Sequence, residues 1–150
     1  MDTGSFSIGA DNIRFTAPPV ALPVGYHSLS KRYFHHNIPS PGEVEMAINV
    51  IEDAIQATPL LRTTAGSFNC ADHFLKEIAS VAGESARLTQ QNIEQVFNRV
   101  ADVAAGSPRQ PGEFPADPEF ICYLLIVREL SHHLNIQDIN LTLQRPTFSG

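Results

Sequence analysis

Phe120-Ile-Cys-Tyr-Leu-Leu-Ile-Val127 is a run of eight apolar residues that leads directly into Arg128-Glu-Leu-Ser-His-His133. Asp117-Pro118-Glu119, which precedes the run, is a strong helix start because it places a capping carboxylate before a proline in the first turn. A helix that is apolar on all sides must be buried. The sequence therefore predicts a buried helix to about Leu134, with an acid and two histidines toward its C-terminal end.

Three further helices are predicted before this one. Ser40-Pro41-Gly42-Glu43 has the spacing of a capping box with proline at the first helical position, and Pro59 ends the helix that it starts. A second helix is expected from Asn69 to Gly83. A third is expected from Thr89 to Gly106, and both of these carry apolar residues at helical spacing.

The two ends of the chain lack this periodicity. Residues 1–37 show only Ile13-Arg14-Phe15-Thr16, whose alternation is typical of a short strand, followed by prolines that favour extended backbone. Residues 139–143 alternate apolar and polar side chains, which predicts a half-buried strand. The predicted fold is α+β and mainly helical: a four-helix core with an extended N-terminal arm and a short C-terminal strand. In this single domain, the arm of residues 1–37 packs on residues 38–150.

Composition limits the class of protein. An apolar fraction of 43% and a charged fraction of 17% are those of a globular domain, and the net charge of −6 argues against general nucleic-acid binding. The longest apolar run falls far short of the roughly 20 residues that span a bilayer, so no membrane association is expected. The N-terminus does not resemble a secretory signal, which predicts a cytoplasmic protein whose Cys70 and Cys122 are buried thiols.

Histidine clusters suggest a metal site as one hypothesis. Glu129 and His132 have the Glu-x-x-His spacing, which di-iron bundles use on two of their helices. The hypothetical ligand set for a divalent transition metal consists of His35, His36, Glu129, His132 and His133. The simpler interpretation is that the histidines near the end of the helix complement its dipole and that the protein has no cofactor.

Two other segments have a functional and a structural interpretation. Arg32, Ser40 and Gly42 lie where a locally basic segment meets a helix N-terminus, an arrangement that favours an anion, although Lys31 and Arg32 could instead pair with nearby glutamates. Cys70-Ala-Asp-His73 sets a thiol and an imidazole at a helix start, which would suit a nucleophile. A buried structural cysteine is the simpler interpretation.

The sequence contains no complete catalytic constellation and no cofactor fingerprint. The leading hypothesis is a small soluble accessory or binding protein that acts as a homodimer without catalysis of its own, with a further protein partner possible. An apolar arm and an unpaired terminal strand motivate the dimer, because an open strand edge has to be covered. The alternative is a metal- or anion-dependent enzyme with a histidine-rich site between residues 32–36 and the end of the fourth helix.

Overall fold

A mixed sheet of six strands organises the computed structural model, which describes residues 4–16, 19–63 and 66–142. The strands follow the order β3-β2-β1-β4-β6-β5 across the sheet. The central three, β1, β4 and β6, are parallel, and the outer pairings are antiparallel. The strand bounds are β1 Gly4–Ile8, β2 Ile13–Thr16, β3 Pro19–Leu22, β4 Ser67–Cys70, β5 Arg87–Thr89 and β6 Asp138–Leu141.

Three of the four helix starts predicted from the sequence are confirmed. Ser40 and Glu43 form both bonds of a capping box, Thr89 forms an equivalent box with Asn92, and the Asp117 side chain accepts from the N–H of Glu119. These side chains satisfy amides that the first helical turn leaves without partners. The helices are α1 Tyr26–Tyr33, α2 Pro41–Gln56, α3 His73–Val81, α4 Gln90–Ala104 and α5 Pro118–His133, with a short 3-10 helix at Pro59–Thr63.

Helix α5 is the centre of the molecule, as the apolar run predicts. All residues from Phe120 to Val127 are buried, and α5 contacts each of the other four helices. No helix of the described residues is long and apolar enough to cross a membrane. The run of eight apolar residues is therefore explained by burial inside the protein.

The sheet is apolar on one face and polar on the other. Phe6, Phe15 and Phe68 point into the core, with ring centroids 5.8 Å apart in each pair. The residues between them in the strands point the opposite way, and Ser7 and Arg14 are exposed neighbours on β1 and β2. A sheet with antiparallel outer strands tolerates water on one face, so helices on the apolar face are sufficient to bury the core.

The predicted four-helix core with an extended N-terminal arm is wrong. The segment before α2 forms three strands and α1, and β1 hydrogen-bonds directly to β4 near the middle of the sheet. The predicted second helix also begins too early, because Asn69 belongs to β4 and α3 starts at His73. Tertiary pairing decides such short strands, since their local signal is weak.

The C-terminal strand is confirmed, but its position differs from the expectation. Strand β6 lies between β4 and β5, so both of its edges are paired within the chain; Leu143, which the prediction included, lies outside the described residues. The homodimer was inferred partly from an open edge on this strand. That argument no longer applies, and the homodimer stays a prediction.

Replacing a residue at the centre of α5 should destabilise the fold strongly. Leu124 is fully buried, so we expect Leu124→Ala to lower the free energy of unfolding by about 2–5 kcal/mol through lost contacts and a cavity. Met46 on α2 is 55% exposed, and Met46→Ala should stay within about 0.5 kcal/mol. Chemical denaturation of both variants measures the difference. Equal losses would mean that α5 is not the core.

Candidate functional site

A pocket of about 690 Å³ lies at the carboxyl ends of the parallel strands. Ser7 and Ile8 at the end of β1, Asp72 just after β4 and Thr142 just after β6 line it, with Tyr123 of α5 behind them. Ligands of open sheets that contain parallel strands bind at this edge, because the connections there diverge and leave a crevice. The topology therefore marks this pocket as the first candidate for a functional site.

Asp72 joins three elements at the pocket. Its carboxylate accepts hydrogen bonds from the Ser7 hydroxyl at 2.7 Å, from the Ile8 N–H at 2.8 Å and from the Tyr123 hydroxyl at 2.7 Å. Asp72 is also the N-cap residue of α3, but its side chain makes no capping bond to that helix. Because the carboxylate is used by β1 and α5, it does not satisfy the first amides of α3, which lie beside the pocket.

The Tyr123 hydroxyl and the Cys70 thiol stay protonated in this setting. Burial raises the pKa of Tyr123 well above its ordinary value, and the carboxylate of Asp72 acts in the same direction. Burial, and then Asp72, also raises the pKa of Cys70, whose sulfur lies 3.7 Å from the tyrosine oxygen. Burial and the raised pKa favour the structural interpretation of Cys70, because a nucleophilic thiol needs a lowered pKa.

A second cluster of titratable groups lies between α2 and α5. The His133 Nε2 atom is 3.3 Å from a carboxylate oxygen of Glu52 and 3.4 Å from one of Glu129. The other oxygen of Glu129 accepts from Arg128 at 2.9 Å. Burial raises the pKa of the Glu129 carboxyl, and its contact with Glu52 acts in the same direction.

The structure brings together only part of the metal-ligand set predicted from the sequence. Glu129 meets His133, one helical turn away, whereas His132 points to Glu94 at 2.9 Å. His35 and His36 are exposed between α1 and α2 and make no hydrogen bond or ion pair with the described residues. Within the described ranges, Glu52, Glu129 and His133 are the group whose ligand atoms converge, all within 4.8 Å of one another.

Sequence reasoning missed Glu52 and Asp72 because the partners of both side chains lie more than fifty positions away in the sequence. Glu52 lies 81 positions before His133, and its sequence neighbourhood has no metal-site spacing. Asp72 lies in the segment predicted as the second helix, but its described side-chain contacts are with β1 and α5. The available signal for Asp72 was its position just after β4. The end of that strand, from Asn69, had been assigned to the second helix.

The residues of the predicted anion site have structural roles or lie exposed. The Ser40 hydroxyl accepts from the Glu43 N–H, and the Ser40 N–H donates to the Glu43 carboxylate. These two residues of the cap are therefore bonded to each other. Arg32 is exposed and lies 5.5 Å from the centre of the Tyr33 ring, and Gly42 is also exposed. Within the described ranges, neither Lys31 nor Arg32 pairs with a glutamate. Anion binding by Arg32, Ser40 and Gly42 stays a prediction.

Comparison with solved structures identifies proteins with the same fold. The Aquifex aeolicus PPX-GPPA enzyme superposes with a TM-score of 0.72 at 12% identity, over 95% of this chain and 54% of the other. An exopolyphosphatase-like protein superposes with a TM-score of 0.71 at 10% identity, over 95% and 56%. The chain thus spans about half the length of the structures it matches. At these identities the likeness shows the fold alone.

Comparison by sequence finds no relatives. No protein-family model matches the chain. No curated protein matches it either.

These structures correct one expectation from the sequence and bear on a second. The protein is not a helical bundle, because the shared fold is α+β with a mixed sheet of six strands. The matched structures are described as an enzyme and as an exopolyphosphatase-like protein, a likeness that favours the enzyme alternative over a non-catalytic accessory protein. The interpretation as an accessory protein rested on the absence of a recognisable motif, which is a weak reason in a chain whose site residues come from distant segments.

Asp72 should stabilise the pocket through its charge. In Asp72→Asn, an amide nitrogen replaces one carboxylate oxygen and faces a donor, so we expect a loss of about 1–3 kcal/mol in the free energy of unfolding. Asp53→Asn is the matched control, because Asp53 is exposed on α2 and its side chain has no described partner. Urea denaturation of both variants tests the prediction, and equal stabilities would contradict it.

Both cysteines should be inert in the folded protein. Burial raises the pKa of Cys122 to about 12 and raises that of Cys70 still further, so neither forms a thiolate near neutral pH. We expect no rapid reaction with a thiol reagent at pH 8 in the native state, and reaction of both thiols after unfolding. Rapid labelling of native Cys122→Ala would show a reactive Cys70 and refute the prediction.

Proposed function

We propose that this chain supplies the substrate pocket of an enzyme that acts on phosphoanhydride substrates, and that the phosphate groups bind at the carboxyl ends of β1, β4 and β6. The observation that carries the proposal is the N-terminus of α3. Its first amides lie beside the pocket without a capping side chain, because Asp72 is bonded elsewhere. Free amides at a helix N-terminus are a ready site for a phosphate oxygen.

The other groups around the pocket are suited to phosphate oxygens. Ser5, Asn69 and Thr142 contribute hydroxyl and amide groups to its lining. Hydroxyl and amide donors contact phosphate in many proteins without adding charge. The lining also includes Phe6, Tyr26 and Phe74, which form the apolar wall of the pocket.

Charge near the pocket also supports an anionic ligand. Arg14 on β2 lies directly opposite Ser7 on β1, and both residues are exposed on the polar face of the sheet. Cross-strand neighbours lie about 5 Å apart at their β-carbons, so the guanidinium can reach the mouth of the pocket. The Asp72 carboxylate is held by three donors, so it is directed at β1 and α5 and does not cap α3.

The substrate class comes from the comparison. The two matched structures are described as a PPX-GPPA enzyme and an exopolyphosphatase-like protein, which points to chains of phosphate. This chain spans about half of each matched structure, so the proposal assigns it a binding pocket. Catalytic turnover is tested by a separate measurement. The proposal thus keeps the alternative hypothesis of an anion-dependent enzyme. It puts the site at the strand ends, and not between residues 32–36 and the end of the fourth predicted helix.

Titration calorimetry with tripolyphosphate tests the pocket directly. Asn69→Asp adds one negative charge to the lining with almost no change of shape, and we expect it to weaken binding by about fourfold for each charge on the nearest phosphate. The matched control is Asn98→Asp on the exposed side of α4, which makes the same change in net charge away from the pocket.

The control variant should bind within about twofold of the unchanged protein, since exposed charges beyond a Debye length of about 10 Å are screened. Release of inorganic phosphate from polyphosphate, measured in parallel, tests catalysis. Absence of tripolyphosphate binding at millimolar concentration, or equal weakening in both variants, would refute the proposed pocket.

A further inference from the structure

We propose that Glu52, Glu129 and His133 form a binding site for a divalent transition metal, of which Zn²⁺ fits best, between α2 and α5. The site is separate from the strand-end pocket, and it does not depend on the phosphate proposal. It uses one carboxylate from α2 and a carboxylate and an imidazole from the last turns of α5.

The spacing of the ligand atoms matches tetrahedral coordination. Zinc–nitrogen and zinc–oxygen bonds of about 2.0–2.1 Å place neighbouring ligand atoms of a tetrahedron about 3.3–3.4 Å apart. The His133 Nε2 atom is 3.3 Å from the Glu52 oxygen and 3.4 Å from the Glu129 oxygen. Two of the three separations therefore match those that a zinc ion imposes, and the third, between the two carboxylates, lies within 4.8 Å, with one corner left for water.

The type of donor also fits. One imidazole and two carboxylates make a nitrogen–oxygen donor set: the imidazole favours a transition metal over Mg²⁺ or Ca²⁺, and zinc accepts both donor types. Glu129 and His133 are four residues apart on a helix, which puts both side chains on one face. Glu52 approaches the same point from α2, so that a bound metal would connect the two helices.

The surroundings of Glu129 orient it for this role. Arg128 binds one of its oxygens at 2.9 Å, which leaves the other oxygen directed at His133. Arg128 is itself held by Glu94 at 3.0 Å and lies 3.8 Å from the centre of the Phe97 ring. A fixed partner of this kind is typical of a metal ligand, because it sets the orientation of the carboxylate.

Charge balance gives a further reason for a cation. Glu94 and Glu129 share the guanidinium of Arg128, and Glu52 adds a further carboxylate beside Glu129 whose described ion-pair partner is the imidazole of His133. Glu129 is 3% exposed, so water does little to stabilise its charge. A divalent cation would offset the two carboxylates that face His133, since metal coordination is one of the ways in which buried charges are stabilised. A cavity of about 460 Å³ borders the cluster on the side of His133.

Competition with a chromophoric chelator measures zinc binding to the tag-free full chain. We expect one equivalent to bind, and we expect His133→Gln and Glu52→Gln each to weaken binding about tenfold or more, because even the loss of a partner outside the ligand set costs that much. His132→Gln is the matched control: it removes a neighbouring imidazole that binds Glu94 outside the cluster, and it should change the affinity less than about twofold.

Cobalt(II) provides a second readout that does not depend on affinity. A four-coordinate Co²⁺ site absorbs visible light strongly, and we expect that spectrum in the unchanged protein and in His132→Gln but not in His133→Gln. Glu129 is left unchanged because of its burial, and circular dichroism checks the fold of each variant. Zinc binding below one equivalent, equal affinity in His133→Gln and His132→Gln, or only the weak spectrum of six-coordinate cobalt would overturn the proposal.

Discussion

Burial of α5 on all sides is the constraint on which the rest of the structure depends. A helix with eight consecutive apolar residues has no face that can meet water, so the sheet and four other helices have to enclose it. The sheet contributes Phe6, Phe15 and Phe68 to the same buried core, and its other face remains polar. The packing of four helices against α5 thus follows from the composition of one helix.

The same burial explains where the chemically active groups are. Each polar side chain on a buried helix needs a partner, and no buried side-chain polar atom of the described residues is left without one. Tyr123 finds its partner in Asp72 at the strand ends, and Glu129 finds Arg128 and His133 at the other end. Both clusters therefore arise where α5 carries a polar group into the core.

Local sequence signals predicted four of the helices. The strands that they missed depend on pairing with distant parts of the chain. Caps at Ser40, Thr89 and Asp117 identify helix starts because a cap lies within a few residues of the amides that it satisfies. Strand β1 has the sequence Gly-Ser-Phe-Ser-Ile, whose alternation is clear only when the buried Phe6 and Ile8 are known. Its position beside β4 depends on residues more than sixty positions away, which no local pattern contains.

The candidate sites show the same limit at the level of single residues. The sequence singled out Glu129 with His132, three residues on, but the structure pairs Glu129 with His133 because that imidazole faces α2. Both spacings share a helix face, so the positions of Glu52 on α2 and Glu94 on α4 decide between them. Tyr123 and Glu129 are six residues apart, about 9 Å along the axis. One rigid helix therefore holds the strand-end pocket and the histidine cluster at a fixed separation, and a shift of α5 that alters one cluster has to move the other.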